Sequence, residues 1–342
     1  MSKNVLVTGG AGFVAHHIIH HLLKHTDWNI VSLDRLDFSG NLNRLADMMA
    51  EFDVETRKRV RIVFHDLRAE VNPLVTRDMG DINYVLHLAA GSHVDRSIDY
   101  PMEFVLDNVV GTCNILNYAR NLPNLERFVY FSTDEVFGPA PTGVDYDERD
   151  RYNSSNPYSA TKAGGEELAV AFENTYKMPI FITHTMNVFG QRQHPEKFIP
   201  MCIRKAHDNE IITIHSDSTR TIPGSRHYIH AADVADAMQF LLTLDASKLD
   251  EDYGGAKCPK FNLVGAEEID NLTLAKLIAD AQGKELLYDM VDFHTSRPGH
   301  DLRYSLSGEY MRRLGWVPKV ALSQRINEVV NWTLENERWL RC

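Results

Sequence analysis

Long apolar runs are missing from this chain, and nothing in it approaches the roughly eighteen consecutive apolar residues that a membrane-spanning helix requires. Basic blocks are missing too. Lys and Arg total 36 against 47 Asp and Glu, a net charge of −11, whereas binding to a phosphate backbone requires a Lys/Arg surface. Nucleic acid is therefore not an expected partner, and an anionic small ligand would need local positive charge. Cysteine is scarce. Cys113, Cys202, Cys258 and Cys342 are scattered without CxxC spacing, which reads as reduced thiols rather than a disulfide framework, and no metal site is expected. There is no internal repeat and no low-complexity segment. The chain runs from MSKN directly into a strand pattern without a basic-then-apolar leader, so a cytoplasmic location is the default expectation.

What is present is an ordinary globular composition, 44% hydrophobic and 24% charged over 342 residues, enough for one large or two smaller domains. The first strong pattern is NVLVT at residues 4–8, then Gly9-Gly10-Ala11-Gly12-Phe13-Val14-Ala15, then an apolar-periodic helix to about Leu23. Glycines at a strand-to-helix turn let the backbone approach a pyrophosphate, and the helix N-terminus offers it unpaired N–H groups. A second β run over 28–33 ends in Asp34, where a carboxylate accepts hydrogen bonds from the adenosine ribose hydroxyls of NAD. That carboxylate would repel a 2′-phosphate, so NAD is expected over NADP, with Arg35 beside it as the residue that leaves the choice open. The helix also carries His16, His17, His20 and His21. At about 100° per residue these fall with Lys24 opposite Val14, Ile18, Ile19, Leu22 and Leu23, which predicts a solvated polar face rather than a metal site.

Strand patterns recur at 61–64, 84–89, 128–131 and 180–185, with helical patterns between them. Alternation of this kind predicts a parallel sheet with helices on both faces, and ligands of such sheets bind at the strand C-terminal ends. Asp66 and the Ala89-Ala90 pair follow two of these strands. After Thr185 the rhythm changes. Residues 186–228 hold Pro195, Pro200, Pro223 and Gly224 and read as a cap rather than a further sheet layer. A helix at 232–242, a last strand at 261–264, a helix at 273–282, an extended piece at 286–291, the loop SRPGHDLRY, a short helix to Gly315 and a closing helix from Leu322 follow. Arg226, Arg297, His300 and Arg303 concentrate donors there, and the planar fork of Arg suits a diphosphate.

The stretch that carries chemistry is FSTDEVFG at 131–138, followed by the helical NPYSATKAGGEELAVAF. An apolar run that breaks into Ser132, Thr133, Asp134 and Glu135 is a costly way to end a buried strand unless those groups are needed there. Consecutive residues in a strand point to opposite faces, so both acids reach one ligand only if the strand ends and turns at that point. Tyr158 and Lys162 lie four apart on one helix face, and an ammonium beside a phenol is expected to lower its pKa and make Tyr158 a base. Singly, paired acids are usually a solvated turn and a Tyr/Lys pair usually a surface contact. Their joint occurrence with the glycine loop points to a site.

With these residues in view, the chain resembles the extended short-chain dehydrogenase/reductases, and within them the nucleoside-diphosphate-glucose 4,6-dehydratases, the dTDP-glucose enzymes foremost. The resemblance spans nearly the whole chain: TGGAGFVA, LDRLDFSGNL, HLAAGSHVDRS, STDEVFG, NPYSATKA, NVFGQRQHPEKFIP and RPGHDLRY. It implies a Rossmann-type, doubly wound parallel α/β sheet with a smaller, discontinuous C-terminal substrate-binding domain, divided as 1–186 with 228–265 and 187–227 with 266–342. It implies a hydro-lyase in which Tyr158 takes the C4 hydroxyl proton, Glu135 removes the C5 proton and Asp134 protonates the departing C6 hydroxyl. Thr133 would hydrogen-bond the sugar and Lys162 hold the nicotinamide ribose. Gly9, Gly12, Phe13, Val14, Asp34, Asp66, Leu67, Ala89, Tyr158 and Lys162 are the implied NAD contacts. Ser92, Asn187, Glu196, Lys197, Arg226, Arg297 and His300 are the implied sugar-nucleotide contacts. A homodimer through a helical bundle that includes the Tyr/Lys helix is also implied.

The chain departs from that pattern in places. Ala15 replaces the third loop glycine, Gly91 stands where Glu is common, 215–225 is longer than expected, and Arg226-His227-Tyr228 replaces Arg-Asp-Trp. These changes leave the nucleotide base open between dTDP, UDP and others. Two competing readings are a redox-neutral epimerase or decarboxylase on the same scaffold and a non-catalytic NAD-sensing regulator, the latter having no need of Tyr158, Lys162 and both acids.

Overall fold

The β-branched run after Asn4 forms strand β1 (Asn4–Thr8), and the later apolar runs form β2 (Asn29–Asp34), β3 (Val60–Phe64), β4 (Tyr84–His87), β5 (Arg127–Thr133) and β6 (Ile180–Thr185). Shorter strands follow: β7 (Asn187–Phe189), β8 (Ile212–Ser216), β9 (Ser225–His230), β10 (Lys260–Leu263), β11 (Glu268–Asp270) and β12 (Tyr288–Asp292). The structure is a computed structural model that describes residues 2–37, 39–249, 258–293 and 302–341. Arg297 and His300, two of the implied substrate contacts, lie outside the described residues.

Seven strands pair in the order β10-β6-β5-β4-β1-β2-β3, every pair parallel. Such a sheet must be covered on both faces, because parallel strands joined by crossover helices expose no solvated side. One face is covered by the helices Phe13–His25 and Ala231–Thr243, which bury Ile18, Ile19, Leu22, Val234, Met238 and Leu241. The other lies under Gly111–Ala119 and Pro157–Tyr176, with Ile115, Leu116 and Ala169 in its core. This is the doubly wound sheet anticipated from the alternation. Its order reverses at β1, which has β2 on one side and β4 on the other, and at such a switch point the connections leave in opposite directions and open a crevice.

The cap contains two small sheets, β11-β9-β7 and β12-β8. The helices Phe198–His207, Asn271–Asp280 and Leu322–Glu335 surround its own apolar cluster, which includes Ile203, Ile278 and Ile326. The extra residues after β8 close on themselves: the Asp217 carboxylate accepts the N–H groups of Thr221 (3.0 Å) and Ile222 (2.9 Å), and Ser216 bridges Pro223. Among the described residues no helix is long and apolar enough to cross a membrane.

One expectation fails. The histidine face of helix Phe13–His25 is not solvated: His16 is fully buried, and His17, His20 and His21 are partly buried. The helix is flanked on that side by the cap loop and by helix Ala231–Thr243, so His17 bonds the Gln191 carbonyl (3.0 Å), His21 the Gln239 side chain (2.7 Å) and His20 Glu51 (3.1 Å). Burial holds all four below the usual histidine pKa. Helical phase alone found the apolar stripe but not what a second element would lay over the other face.

On the opposite face the chain makes a single π-helical turn, Leu106–Val110, against helix Pro157–Tyr176. Close approach there depends on Gly165, whose added Cβ would lie 2.2 Å from the Tyr130 hydroxyl and 2.8 Å from the Asn108 carbonyl. Tyr130 in turn donates to the Lys162 carbonyl at 3.0 Å. Gly165→Ala is expected to lower stability by about 1–3 kcal/mol through overpacking, even though Ala gains ~1 kcal/mol over Gly in a helix interior. The check is a urea midpoint that falls at constant m-value; an unchanged midpoint would show that the contact relaxes freely.

Candidate active site

The switch point brings the loops after β1 and β4 into contact. Gly9 has φ +67°, and a Cβ on it would stand 2.9 Å from the Ala89 Cα, so only glycine fits both the conformation and the approach. The Gly12 N–H bonds the Gly9 carbonyl at 2.8 Å, and helix Phe13–His25 starts at Gly12 with no side-chain cap, leaving its first N–H groups to a ligand. Phe13 and Val14 form its first turn. Asp34, buried at the end of β2, accepts the N–H groups of Ala11 (3.0 Å) and Leu36 (2.8 Å). Asp66 caps its own turn through the Arg68 N–H (2.9 Å), and Leu67, buried, gives its carbonyl to Asn114 (2.7 Å). A glycine loop, an open helix end and an acid at the second strand are the donors and acceptors of a dinucleotide, and the residues present fit NAD. Arg35 does not reopen the choice of cofactor. Its guanidinium is bonded to Asp107 and Asp37 and stands 3.5 Å from Asp66, so it is already matched by carboxylates.

Strand β5 ends at Thr133 and turns at once into a single 3₁₀ turn, Asp134–Phe137. The turn allows consecutive acids to share a site. The Thr133 hydroxyl caps it, accepting the Glu135 N–H at 3.4 Å and donating to Asp134 at 2.9 Å. Asp134 is almost fully buried, and its other oxygen has no hydrogen-bond partner among the described residues. A buried, unsatisfied carboxylate oxygen is rare enough to mark a place where a ligand atom belongs. Burial raises Asp134 to about 6. Burial, and then the charge of Asp134, raise Glu135 to about 7. Two adjacent buried carboxyls cannot easily both ionise, so the pair holds about one proton near neutrality.

Helix Pro157–Tyr176 delivers Tyr158 and Lys162 beside them. The Tyr158 N–H bonds the Ser97 hydroxyl at 3.1 Å, and Thr133 acts on its phenol. The lowered phenol pKa anticipated from the i,i+4 spacing is not found. Burial, then the charges of Glu135 and Asp134, hold Tyr158 well above its ordinary value. Lys162 points elsewhere: its ammonium donates to the Phe131 carbonyl at 2.6 Å and lies 4.4 Å from the centre of the Tyr130 ring. Burial pulls Lys162 down to about 7. Spacing on a helix sets which face two side chains share, not where long ones end.

The remaining residues divide. Lys197 precedes helix Phe198–His207 and Arg226 lies on β9; both act on Glu135, and Arg226 also on Asp134, from the cap side. Arg226 bonds the carbonyls of Ser225 and Leu302 and stacks 4.8 Å from the Tyr304 ring. Asn187 begins β7, directly after β6. Ser92 and Glu196 are exposed on the rim, Glu196 3.9 Å from His93 and 3.7 Å from His194. Asn156 and Ser97 escaped the sequence reading. The signal for Asn156 was present, as an Asn before Pro157 at a helix start, whereas Ser97 lies sixty-one residues from Tyr158 and carries no local mark.

The chain matches the model of the NAD dependent epimerase/dehydratase family over residues 5–253. It is 32% identical to a dTDP-glucose 4,6-dehydratase of Neisseria gonorrhoeae across 98% of this chain and 96% of that one. Among solved structures, DesIV of Streptomyces venezuelae, a dTDP-glucose 4,6-dehydratase with NAD and TYD bound, superposes with a TM-score of 0.83 at 32% identity and 98% coverage of both chains. The UDP-glucuronic acid 4-epimerase of Bacillus cereus reaches the same 0.83 at 22% identity, covering 98% of this chain and all of that one, and shares the fold.

Asp134 also makes a stability prediction. Its pKa is raised in the folded state, so its favourable contribution is full below about 4 and is lost as pH rises through about 6. A rise of about two pH units corresponds to ~3 kcal/mol. Asp134→Asn is expected to be more stable than the parent at pH 8 by up to that amount and nearly equal to it at pH 4. Chemical denaturation at the two pH values checks this; an equal or lower stability at pH 8 would mean that the buried carboxylate carries no strain.

Proposed function

Since the chain belongs to the NAD dependent epimerase/dehydratase family, with dTDP-glucose 4,6-dehydratases of the hydro-lyase class as full-length relatives, we propose that it dehydrates a nucleoside-diphosphate-glucose, dTDP-glucose first and UDP-glucose next, to the 4-keto-6-deoxy sugar nucleotide. The observation that carries this reading is the pair of buried acids at the turn after Thr133, beside Tyr158. An epimerase needs one acid–base group at C4; water loss across C5–C6 needs two more. NAD, when bound, supplies the hydride acceptor for C4 and the hydride donor for C6, and so is regenerated within each turnover.

The side chains move the protons. Tyr158 accepts the proton of the C4 hydroxyl and passes one by way of the Thr133 hydroxyl to Asp134. The C4 ketone acidifies the neighbouring C5 hydrogen, Glu135 removes it, and Asp134 gives its proton to the departing C6 hydroxyl, so that water leaves. Glu135 then returns its proton to C5. One proton across two acids is the state this sequence draws on, one group donating while the other accepts. Lys162 would hold the nicotinamide ribose, and Gly9, Gly12, Phe13, Val14, Asp34, Asp66, Leu67 and Ala89 would hold the rest of the dinucleotide. Ser92, Asn187, Glu196, Lys197 and Arg226 take the sugar nucleotide, with Arg226 and Lys197 supplying positive charge for its diphosphate. Residues 1–186 with 228–265 form the cofactor domain and 187–227 with 266–342 the substrate domain.

The test is incubation with dTDP-glucose and UDP-glucose separately, read by mass for loss of one water and by alkaline ultraviolet absorbance of the 4-keto product. Glu135→Gln is expected to slow water loss by about 10²–10⁴-fold while C4 oxidation stays detectable as NADH absorbance. Turnover without water loss would replace this reading with an epimerase or decarboxylase, and no turnover with any nucleotide-glucose would favour an NAD-sensing regulator.

The proposal extends to a homodimer. Ile98, Tyr100, Met102 and Leu106 are exposed along the segment packed on helix Pro157–Tyr176, and Tyr176 of that helix is exposed as well. Exposed apolar side chains gathered on one segment in this way are expected to be covered by a second copy. Sedimentation equilibrium should return twice the 39.0 kDa chain mass. Tyr100→Asp with Met102→Asp should return a monomer, and a parent protein that sediments as a monomer refutes the assembly.

A further inference from the structure

Asn156 occupies two places at once. As the N-cap of helix Pro157–Tyr176 it gives its side-chain oxygen to the Ser159 N–H at 2.8 Å, and the Ser159 side chain returns to the Asn156 backbone, closing a capping box. Its side-chain nitrogen donates to the Glu135 carboxylate at 3.0 Å. It is almost fully buried. The two bonds are linked by the geometry of a planar amide. Because the oxygen is committed to the helix, the nitrogen must face Glu135, so the orientation of the amide is set by the cap and not by the acid. Ser, Thr or Asp would cap the same helix, but none would place an N–H donor on that carboxylate.

We propose that Asn156 is a positioning residue for the reaction, using the helix it caps to aim an N–H at Glu135 and favour the ionised, proton-accepting form of that carboxylate. This rests on the dehydratase reading for its catalytic meaning. A hydrogen bond to the charged form favours that form; it opposes the burial and the Asp134 charge that raise Glu135, and so moves the proton of the pair towards Asp134. Asp134 from its own turn, Tyr158 from the helix, Arg226 from β9 and Lys197 from the cap also act on Glu135, and none of them is altered by substitution at 156. The same bond couples two elements: the helix that carries Tyr158 and the turn that carries the acids are joined through one side chain.

Two variants separate capping from positioning. Asn156→Ser keeps a cap and removes the donor; Asn156→Asp keeps the cap and the shape and sets a carboxylate against Glu135. Both are expected to melt within a few degrees of the parent, because exchange among good cap residues costs little. The acidic limb of the kcat/KM profile for dehydration should rise by about one pH unit in Asn156→Ser and further in Asn156→Asp, while NADH formation from C4 oxidation keeps its profile. The Glu135 carboxyl, followed by carbon-13 NMR against Glu135→Gln, should titrate upward in the same order. That titration does not depend on turnover. If the parent enzyme releases no 4-keto product, the dehydratase reading fails and the titration alone decides the bond; if product forms but neither limb nor titration moves, the proposal for Asn156 is overturned.

Discussion

Two carboxylates side by side in the protein interior are the constraint around which this molecule is arranged. Burying one without a counter-charge is costly, and burying two in sequence adds their mutual repulsion. The chain tolerates them because β5 stops at Thr133 and the following 3₁₀ turn gives each acid its own surroundings. Thr133 donates to Asp134, Asn156 donates to Glu135, and Arg226 and Lys197 act on them from the cap. The compensation is partial, so both groups stay raised towards neutrality.

The opposite end of the site is rigid where the acids are poised. A buried chain of side chains runs across β1 and β4 below the switch point: the Thr8 hydroxyl meets His87 at 2.8 Å, His87 meets Thr112 at 3.0 Å, and the Ala89 N–H donates to Thr8 at 3.1 Å. It fixes the two loops that Gly9 allows to touch. Burial lowers His87 to about 3, so it serves this chain as a neutral imidazole. A precise cradle for a large cofactor requires such an underlayer, because its own contacts are made by backbone at loop ends.

Cap and sheet are tied by charged side chains acting as struts. Arg44 donates to the carbonyls of Ser39 (2.7 Å) and Arg192 (3.0 Å), joining the loop after β2 to the segment after β7, and it stacks on Trp339 near the end of the chain. Farther along helix Pro157–Tyr176, Glu166 takes Ser132 at 2.5 Å and His184 at 3.1 Å with both acid and imidazole fully buried. Removing one member of such a buried pair leaves the other uncompensated, so these residues fix geometry that the site uses without touching it.

Periodicity and glycine placement in the sequence carried the seven parallel strands, the cofactor turn and the position of Asp34, because backbone conformation and two-faced burial are written locally in residue type. The turn at Thr133 was also legible, since two adjacent acids closing an apolar run make sense only where a strand ends. Three features were decided by the folded chain alone. The histidines of Phe13–His25 are buried because the cap loop and helix Ala231–Thr243 arrive from 174 and 218 residues away. Lys162 reaches Phe131 instead of the phenol. Tyr158 is raised rather than lowered, because its surroundings hold two carboxylates and little water. Local residue patterns determine which elements form and which face is apolar; burial, charge and the ends of long side chains depend on what packs against them, and only the tertiary structure supplies that.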